Sequence, residues 1–351
     1  MRKVKWGIIG AGGIADRRTI PGLLLAENAE LFAVMEINQA FSEELAKKHG
    51  AKHAYSCVDE LLGNPEIDAV YIASPVTAHY EQTKKAALAG KHILLEKPLA
   101  LTVAKGQELI DLCEKQKVLF AAGLMMRFHA YHQKAKALVA EGMLGTIVSA
   151  RAQLTCWYPD MPGSWRQSLA HSGGGALMDM GVHCIDLLQY IIDDKVANVS
   201  ALVGTKTFAY EVEDSATVLM QFKNGAYATV DSNFNIPDNA AECRLELYGT
   251  KGSILASGTI SQVEGGTLQL FLAQDSEYSA IQDRSNTGEV PVDVTFGNMY
   301  TKEVASFGDS ILNGTPVMVP ATDALQVQKV IEGAYQSAKE GRRICFLSAF
   351  A

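Results

Sequence analysis

Paired cysteines are missing from this 351-residue chain. Cys57, Cys113, Cys156, Cys184, Cys243 and Cys345 stand far apart, with no C-x-x-C pair and no tight metal spacing. That argues against a disulfide-stapled scaffold and predicts buried thiols in a reducing compartment. Long apolar runs are missing too. The longest clean one, "VLFAAGLMM", ends at Met126, well short of the ~18 residues of a membrane span. Basic residues do precede an apolar run at the N-terminus. Asp16, Arg17 and Arg18 cut that run off, and glycines at 7, 10, 12 and 13 interrupt it, so it reads as a first strand and turn rather than a signal peptide, and the expected location is cytoplasmic. Positive charge is in deficit: 31 Lys and Arg against 39 Asp and Glu give −8, which argues against nucleic acid or an anionic membrane as partner. There is no Pro-rich linker, internal repeat or low-complexity segment.

What is present is an ordinary globular mixture, 48% hydrophobic and 20% charged, long enough for about two domains. The first third alternates apolar runs with helical stretches. "VKWGII", "AELFAVM", "DAVYIA", "KHILLE" and "VLFAAG" are strand candidates; "FSEELAKKHG", "HYEQTKKAALAG" and "VAKGQELIDLCEKQ" are helical. Apolar strands separated by helices predict a doubly wound parallel sheet over residues 1–122. After Gly123 the pattern changes. A helix and a long strand, "TIVSARAQLTCWY", lead to "GALMDMGVHCIDLLQYI", where Leu177, Met180, Cys184, Leu187 and Leu188 fall near helical spacing. Strand patterns then dominate from about 197 to 298, with Asn224-Gly225 as a hairpin turn. Residues 123–351 therefore read as an α/β domain with an antiparallel or mixed sheet.

Three motifs carry chemistry. Gly10-x-Gly12-x-x-Ala15 follows the first strand. Gly10 allows a tight turn, Gly12 lets backbone approach a pyrophosphate, and the next helix offers N–H groups to phosphate, with Gly13 and Ile14 in the same turn. An ordinary glycine turn looks the same in isolation; the place after a strand makes the difference. Pro21 shortens or kinks the helix that follows. Glu36 ends the second strand about 20 residues on, where an acid holds ribose hydroxyls and repels a ribose phosphate, favouring NAD over NADP. Glu96-Lys97-Pro98 ends the "KHILL" strand and delivers Lys97 to the ligand-binding edge of the sheet, where its charge can stabilise a reacting oxygen.

The third motif is "GGGALMDMGVH", residues 173–183. Asp179 and His183 are four apart, on one face of a helix, with Asp186 a turn further. His183 suits general acid/base work near neutral pH, and Asp179 can orient it or touch substrate. A lone histidine is more often a hydrogen-bonded core residue. Metal binding is disfavoured, since only His171 and Cys184 lie near as further ligands. Gly173, Gly174 and Gly175 are expected to bring bare backbone close to nicotinamide and substrate, so that Gly174 and His183 face the cleft holding Lys97.

Together, in this order, the glycine motif, "EKP" and "GGGALMDMGVHCID" resemble the glucose–fructose oxidoreductase, inositol dehydrogenase and rhizopine-catabolism (Gfo/Idh/MocA) family over essentially the whole chain. The resemblance implies a dinucleotide-binding domain and a second α/β domain with a large open sheet. It implies a homodimer or homotetramer through that sheet, and a late helix, 321–340, packed back on the first domain. Lys97, Asp179 and His183 match the family's catalytic positions. "SPVTAH" resembles the loop beside the cofactor, adding Ser74, Pro75 and His79; Glu96, Trp165 and Arg166 join the cofactor set. Arg127 and Tyr158 are candidates for the substrate pocket. The implied activity is hydride transfer between NAD and a sugar, cyclic polyol or related derivative. The alternatives are an NAD-dependent glycosidase working by transient oxidation and elimination, and a non-catalytic dinucleotide-sensing regulator.

Overall fold

The computed structural model describes residues 2–273, 280–281 and 288–346. The chain forms two compact units. One takes the chain through Phe128 with Ala170–Gly173 and Gly297–Gln328. The other takes His129–Leu169, Gly174–Phe296 and the chain from Lys329 onward.

The first unit is built on six strands: β1 (Val4–Ile9), β2 (Ala29–Met35), β3 (His53–Tyr55), β4 (Ala69–Ile72), β5 (His92–Glu96) and β6 (Phe120–Gly123). All pair in parallel, in the order β3-β2-β1-β4-β5-β6. That is the dinucleotide-binding order, in which the chain reverses direction across the sheet between β1 and β4. The strands read as apolar runs because both faces are covered; β4 is buried at every residue. The connecting helices are stopped as their sequences suggest. Gly50 ends Gln39–His49 in the left-handed conformation, and Thr102 caps Val103–Gln116 by accepting the Lys105 N–H. The helix Met299–Asn313 also packs in this unit. Trp6, fully buried, meets Phe307 with ring centroids 5.9 Å apart. Asn28 Nδ2 donates to Ala305 O at 2.8 Å, and Thr301 Oγ1 donates to Gly22 O at 2.8 Å.

The second unit holds a nine-stranded sheet. Its strands are β7 (Ile147–Thr155), β8 (Val196–Gly204), β9 (Ser215–Phe222), β10 (Tyr227–Asn233), β11 (Arg244–Gly249), β12 (Gly252–Ser257), β13 (Thr267–Leu272), β14 (Glu289–Val290) and β15 (Ile344–Cys345), in the order β14-β13-β12-β11-β7-β10-β9-β8-β15. Among the described residues, only β7 and β10 pair in parallel in this sheet; the other pairs are antiparallel, so the sheet is mixed. The Asn224-Gly225 turn joins β9 to β10, with Gly225 at φ +95. One sheet face is apolar and covered: Val218, Met220, Ala228 and Val230 are buried. Leu219, Tyr227 and Tyr248 sit next to buried residues and are exposed, and Leu202 is exposed on the same face.

Two sequence expectations change. The thiols are not uniformly buried: all six cysteines are free, but Cys57 and Cys345 are exposed. Strand ends and short connections sit at the surface, whatever the residue type. Burial does push the Cys113 and Cys156 thiols up to about 12. Second, both helices of the key motifs begin with a π-turn: Ala15–Thr19 precedes the α-helix Ile20–Leu25, and Leu177–Gly181 precedes Val182–Ile192. The wider turn breaks the simple four-residue register before Val182. No helix among the described residues is long and apolar enough to cross a membrane.

Candidate active site

In the first unit, the candidate residues gather at the carboxyl ends of parallel strands. Gly10 follows β1, Glu36 follows β2, Ser74 lies just past β4, and Glu96 and Lys97 close β5. This is the edge at which open parallel sheets bind ligands, and β1 and β4 flank its reversal point. Gly10, at φ +75, donates its N–H to Met35 O at 3.0 Å; a Cβ there would stand 2.7 Å from Ser74 N. Gly12 donates its N–H to Glu36 Oε1 at 2.7 Å. A side chain at residue 12 would crowd Glu36 and Phe41. Gly13, at φ +58, faces open space. Bare backbone beside an acid at a strand end fits a dinucleotide: Gly12 and Gly13 for the pyrophosphate, and Glu36, half-buried, for the ribose.

The loops after β4 and β5 are tied to each other. His79 is 1% exposed, with Nδ1 2.8 Å from Pro98 O and Nε2 2.9 Å from Ser74 O. Both ring nitrogens thus face backbone carbonyls, and burial holds the ring below the usual imidazole range despite those contacts. Ser74 Oγ donates to Gln82, and the Lys97-Pro98 peptide bond is cis. Beneath them, Tyr71 donates its hydroxyl to Glu96 and accepts from Thr19 Oγ1 at 2.9 Å. Burial and the Glu96 charge push the Tyr71 phenol well up. Glu303, 3% exposed, has its carboxyl pushed well up by burial, then by Glu96, against a hydrogen bond with the Leu124 backbone. Arg127 is buried; its Nη1 lies 2.9 Å from Asp323 Oδ2 and donates to Met318 O at 3.3 Å.

In the second unit, Asp179 is half-buried in the π-turn Leu177–Gly181, and His183 is 8% exposed in the α-helix after it. Arg166 Nε lies 3.8 Å from Asp179 Oδ1, and the guanidinium covers the Trp165 ring at 4.4 Å. The structure therefore brings Arg166, stacked on Trp165, to the acid of the D-x-x-x-H motif. Tyr158 pairs its hydroxyl with Ser164 Oγ at 2.8 Å and stacks near Phe234. Among the described residues, no group of three or more His, Cys, Asp or Glu side chains is arranged to hold a metal ion.

Gly174 and Gly175 are packed against the protein's own groups. A Cβ on Gly174 would lie 2.0 Å from Tyr335 Oη, and one on Gly175 would lie 2.0 Å from Glu213 O. Glu213 and Tyr335 escaped the sequence reading. Neither belongs to a motif, and both are far from residue 175 in the chain.

Residues 4–124 match the model for the oxidoreductase family with an NAD-binding Rossmann fold, and residues 132–255 match the GFO/IDH/MocA C-terminal domain. A 1,5-anhydro-D-fructose reductase of Ensifer adhaerens is 30% identical over 88% of this chain and 88% of its own length. A myo-inositol 2-dehydrogenase of Thermotoga maritima is 28% identical over 96% of this chain and 97% of its own. Among solved structures, an aldose-aldose oxidoreductase from Caulobacter crescentus, crystallised with glycerol, superposes with a TM-score of 0.88 at 27% identity, covering 98% of this chain and 100% of that one.

Proposed function

The chain belongs to the GFO/IDH/MocA family of oxidoreductases with an NAD-binding Rossmann fold, and from that premise we propose that it moves a hydride between NAD and a sugar, cyclic polyol or related carbohydrate derivative. The relatives named for anhydrofructose and inositol support this substrate class. The observation that carries the reading is the gathering of Gly10–Ile14, Glu36, Ser74 and Lys97 at the carboxyl ends of β1, β2, β4 and β5.

Bound NAD supplies the hydride acceptor or donor. Gly12 and Gly13 offer backbone N–H groups to its phosphates, and Glu36 takes the ribose hydroxyls, releasing the Gly12 N–H it holds. Pro75 and His79 keep the loop after β4 in shape beside the cofactor, and Glu96, held by Tyr71, fixes the base of Lys97. His183 removes the hydroxyl proton during oxidation and returns it during reduction. Lys97 stabilises charge on the same oxygen. Asp179, paired with Arg166, orients the substrate.

The test is a panel of aldoses, anhydrosugars and inositols with NAD and with NADP, followed by absorbance at the reduced nicotinamide band. Lys97→Ala and His183→Ala are each expected to lower turnover by about 10²–10⁴-fold on the best substrate. Near wild-type turnover in both variants would sink the mechanism, and a preference for NADP would overturn the role of Glu36.

A further inference from the structure

The helix that carries Asp179 and His183 has no local cap. Ala176 stands at the N-cap position with no side-chain hydrogen bond, and glycines precede it. Three consecutive N–H groups at this start are nevertheless taken, all by one residue. Gly175 N donates to Glu213 Oε2 at 2.8 Å, Ala176 N to Glu213 O at 3.0 Å, and Leu177 N to Glu213 Oε1 at 2.9 Å. Tyr335 Oη then donates to Glu213 Oε1 at 2.8 Å. Glu213 is 8% exposed, so no solvent substitutes for these donors. The two glycines are what allows the approach: any Cβ at 174 or 175 would overlap Tyr335 or the Glu213 backbone.

We propose that Glu213 and Tyr335 are positioning residues of the active site, a clamp that fixes where the π-turn begins and so where Asp179 and His183 stand. Asp179 lies two residues past the last clamped N–H and His183 six, less than two turns of helix. Asp179 N donates in turn to Gly175 O at 2.9 Å, so the clamped peptide is itself the first rung of the turn. A carboxylate is required because the Gly175 and Leu177 N–H groups and the Tyr335 hydroxyl all donate to its two oxygens. Burial pushes the Glu213 carboxyl up, and these hydrogen bonds oppose that shift. The Tyr335 phenol is pushed well up by burial and by the Glu213 charge, which keeps it a donor.

This inference rests on the roles given above to Asp179 and His183, and the experiment separates the two. Full-length Glu213→Gln and Tyr335→Phe are compared with wild type for kcat and KM on the best panel substrate, for NAD binding, and for the ring titration of His183 by NMR, assigned with His183→Gln. The carboxamide puts an NH2 group against a donor, so E213Q is expected to lower kcat by roughly tenfold or more, since small misplacements of reacting groups are costly. The NAD dissociation constant should stay within about twofold and the His183 titration should move by about half a pH unit or more. Y335F keeps both backbone hydrogen bonds to the carboxylate and should give the same changes at a few-fold scale; it carries the test if E213Q does not fold. Gly174→Ala must displace the Tyr335 hydroxyl and should reproduce Y335F, with the double variant no worse than either. A part in stability alone would lower the melting temperature and leave the His183 titration and kcat unchanged, and that result overturns the proposal. If His183→Ala retains turnover, the acid/base reading falls, while the NMR titration still decides whether the clamp positions the ring.

Discussion

Replacing Glu303 by Gln should stabilise the protein increasingly as pH rises. Glu303 is 3% exposed, and burial and then the Glu96 charge hold its carboxyl well above the ordinary glutamate value of 4.5. In the unfolded chain it ionises near that value. Between the two pKa values the folded state therefore binds more protons than the unfolded state, and stability falls as pH climbs from the unfolded to the folded pKa. The loss is at most about 1.4 kcal/mol for each pH unit crossed. Gln keeps the size and the neutral acceptor for the Leu124 N–H and never ionises. The stability of E303Q relative to wild type should thus be near zero at about pH 4 and grow in favour of the variant, by up to that amount per pH unit. With about 2–4 °C of melting temperature per kcal/mol in a domain of this size, the difference widens by up to about 3–6 °C per pH unit. Differential scanning calorimetry of both proteins from about pH 4 to about pH 9 reads it directly. A difference that stays constant across that range would refute the reasoning, because it would mean that Glu303 titrates alike in both states.

Gly10→Ala and Gly13→Ala should separate strain from overlap: both sit at positive φ, worth about 1–2 kcal/mol for a side chain, but only residue 10 meets backbone, 2.7 Å from Ser74 N. G10A should therefore lower the melting temperature by at least twice as much as G13A, and equal losses would show that the Ser74 segment yields freely. The exposed row Leu202, Leu219, Tyr227 and Tyr248 is expected to be the contact between copies of this chain, so Leu219→Glu should shift sedimentation velocity from a dimer or tetramer to monomer, and an unchanged profile would remove the sheet face from the interface.

Local pattern carried the parallel sheet, because its signals are local. Fully apolar runs such as "DAVYIA" mark strands buried on both faces, and Gly50 and Thr102 mark helix ends by their own backbone and side-chain chemistry. The motif residues of the first unit were legible for the same reason: each sits at the end of a strand whose direction the alternation already implies. What could not be read are contacts between distant segments. Nothing near Trp6 announces Phe307, and nothing near Asn28 announces Ala305, yet these contacts bring the helix Met299–Asn313 onto the parallel sheet.

The glycines at 174 and 175 show how a local reading reaches a segment of close approach without naming the protein groups that meet it. The absence of side chains does mean close approach, and the sequence reading assigned that approach to nicotinamide and substrate. In the structure the space beside Gly174 and Gly175 is filled by Tyr335 and Glu213, 161 and 38 residues away by subtraction of their numbers. A π-turn is equally silent in sequence, since hydrophobic spacing through Leu177, Met180 and Cys184 suits either winding closely enough. Both effects bear on chemistry rather than on fold. The core positions stay buried under either winding, whereas the direction in which Asp179 points depends on where the wider turn starts. A helix start whose three N–H groups donate to one buried carboxylate residue, rather than to a local serine or threonine, ties that direction to tertiary structure. Residues that act by contact can be named from a motif; residues that act by setting the register of a turn become visible only when the orphan N–H groups of that turn are followed to their acceptors.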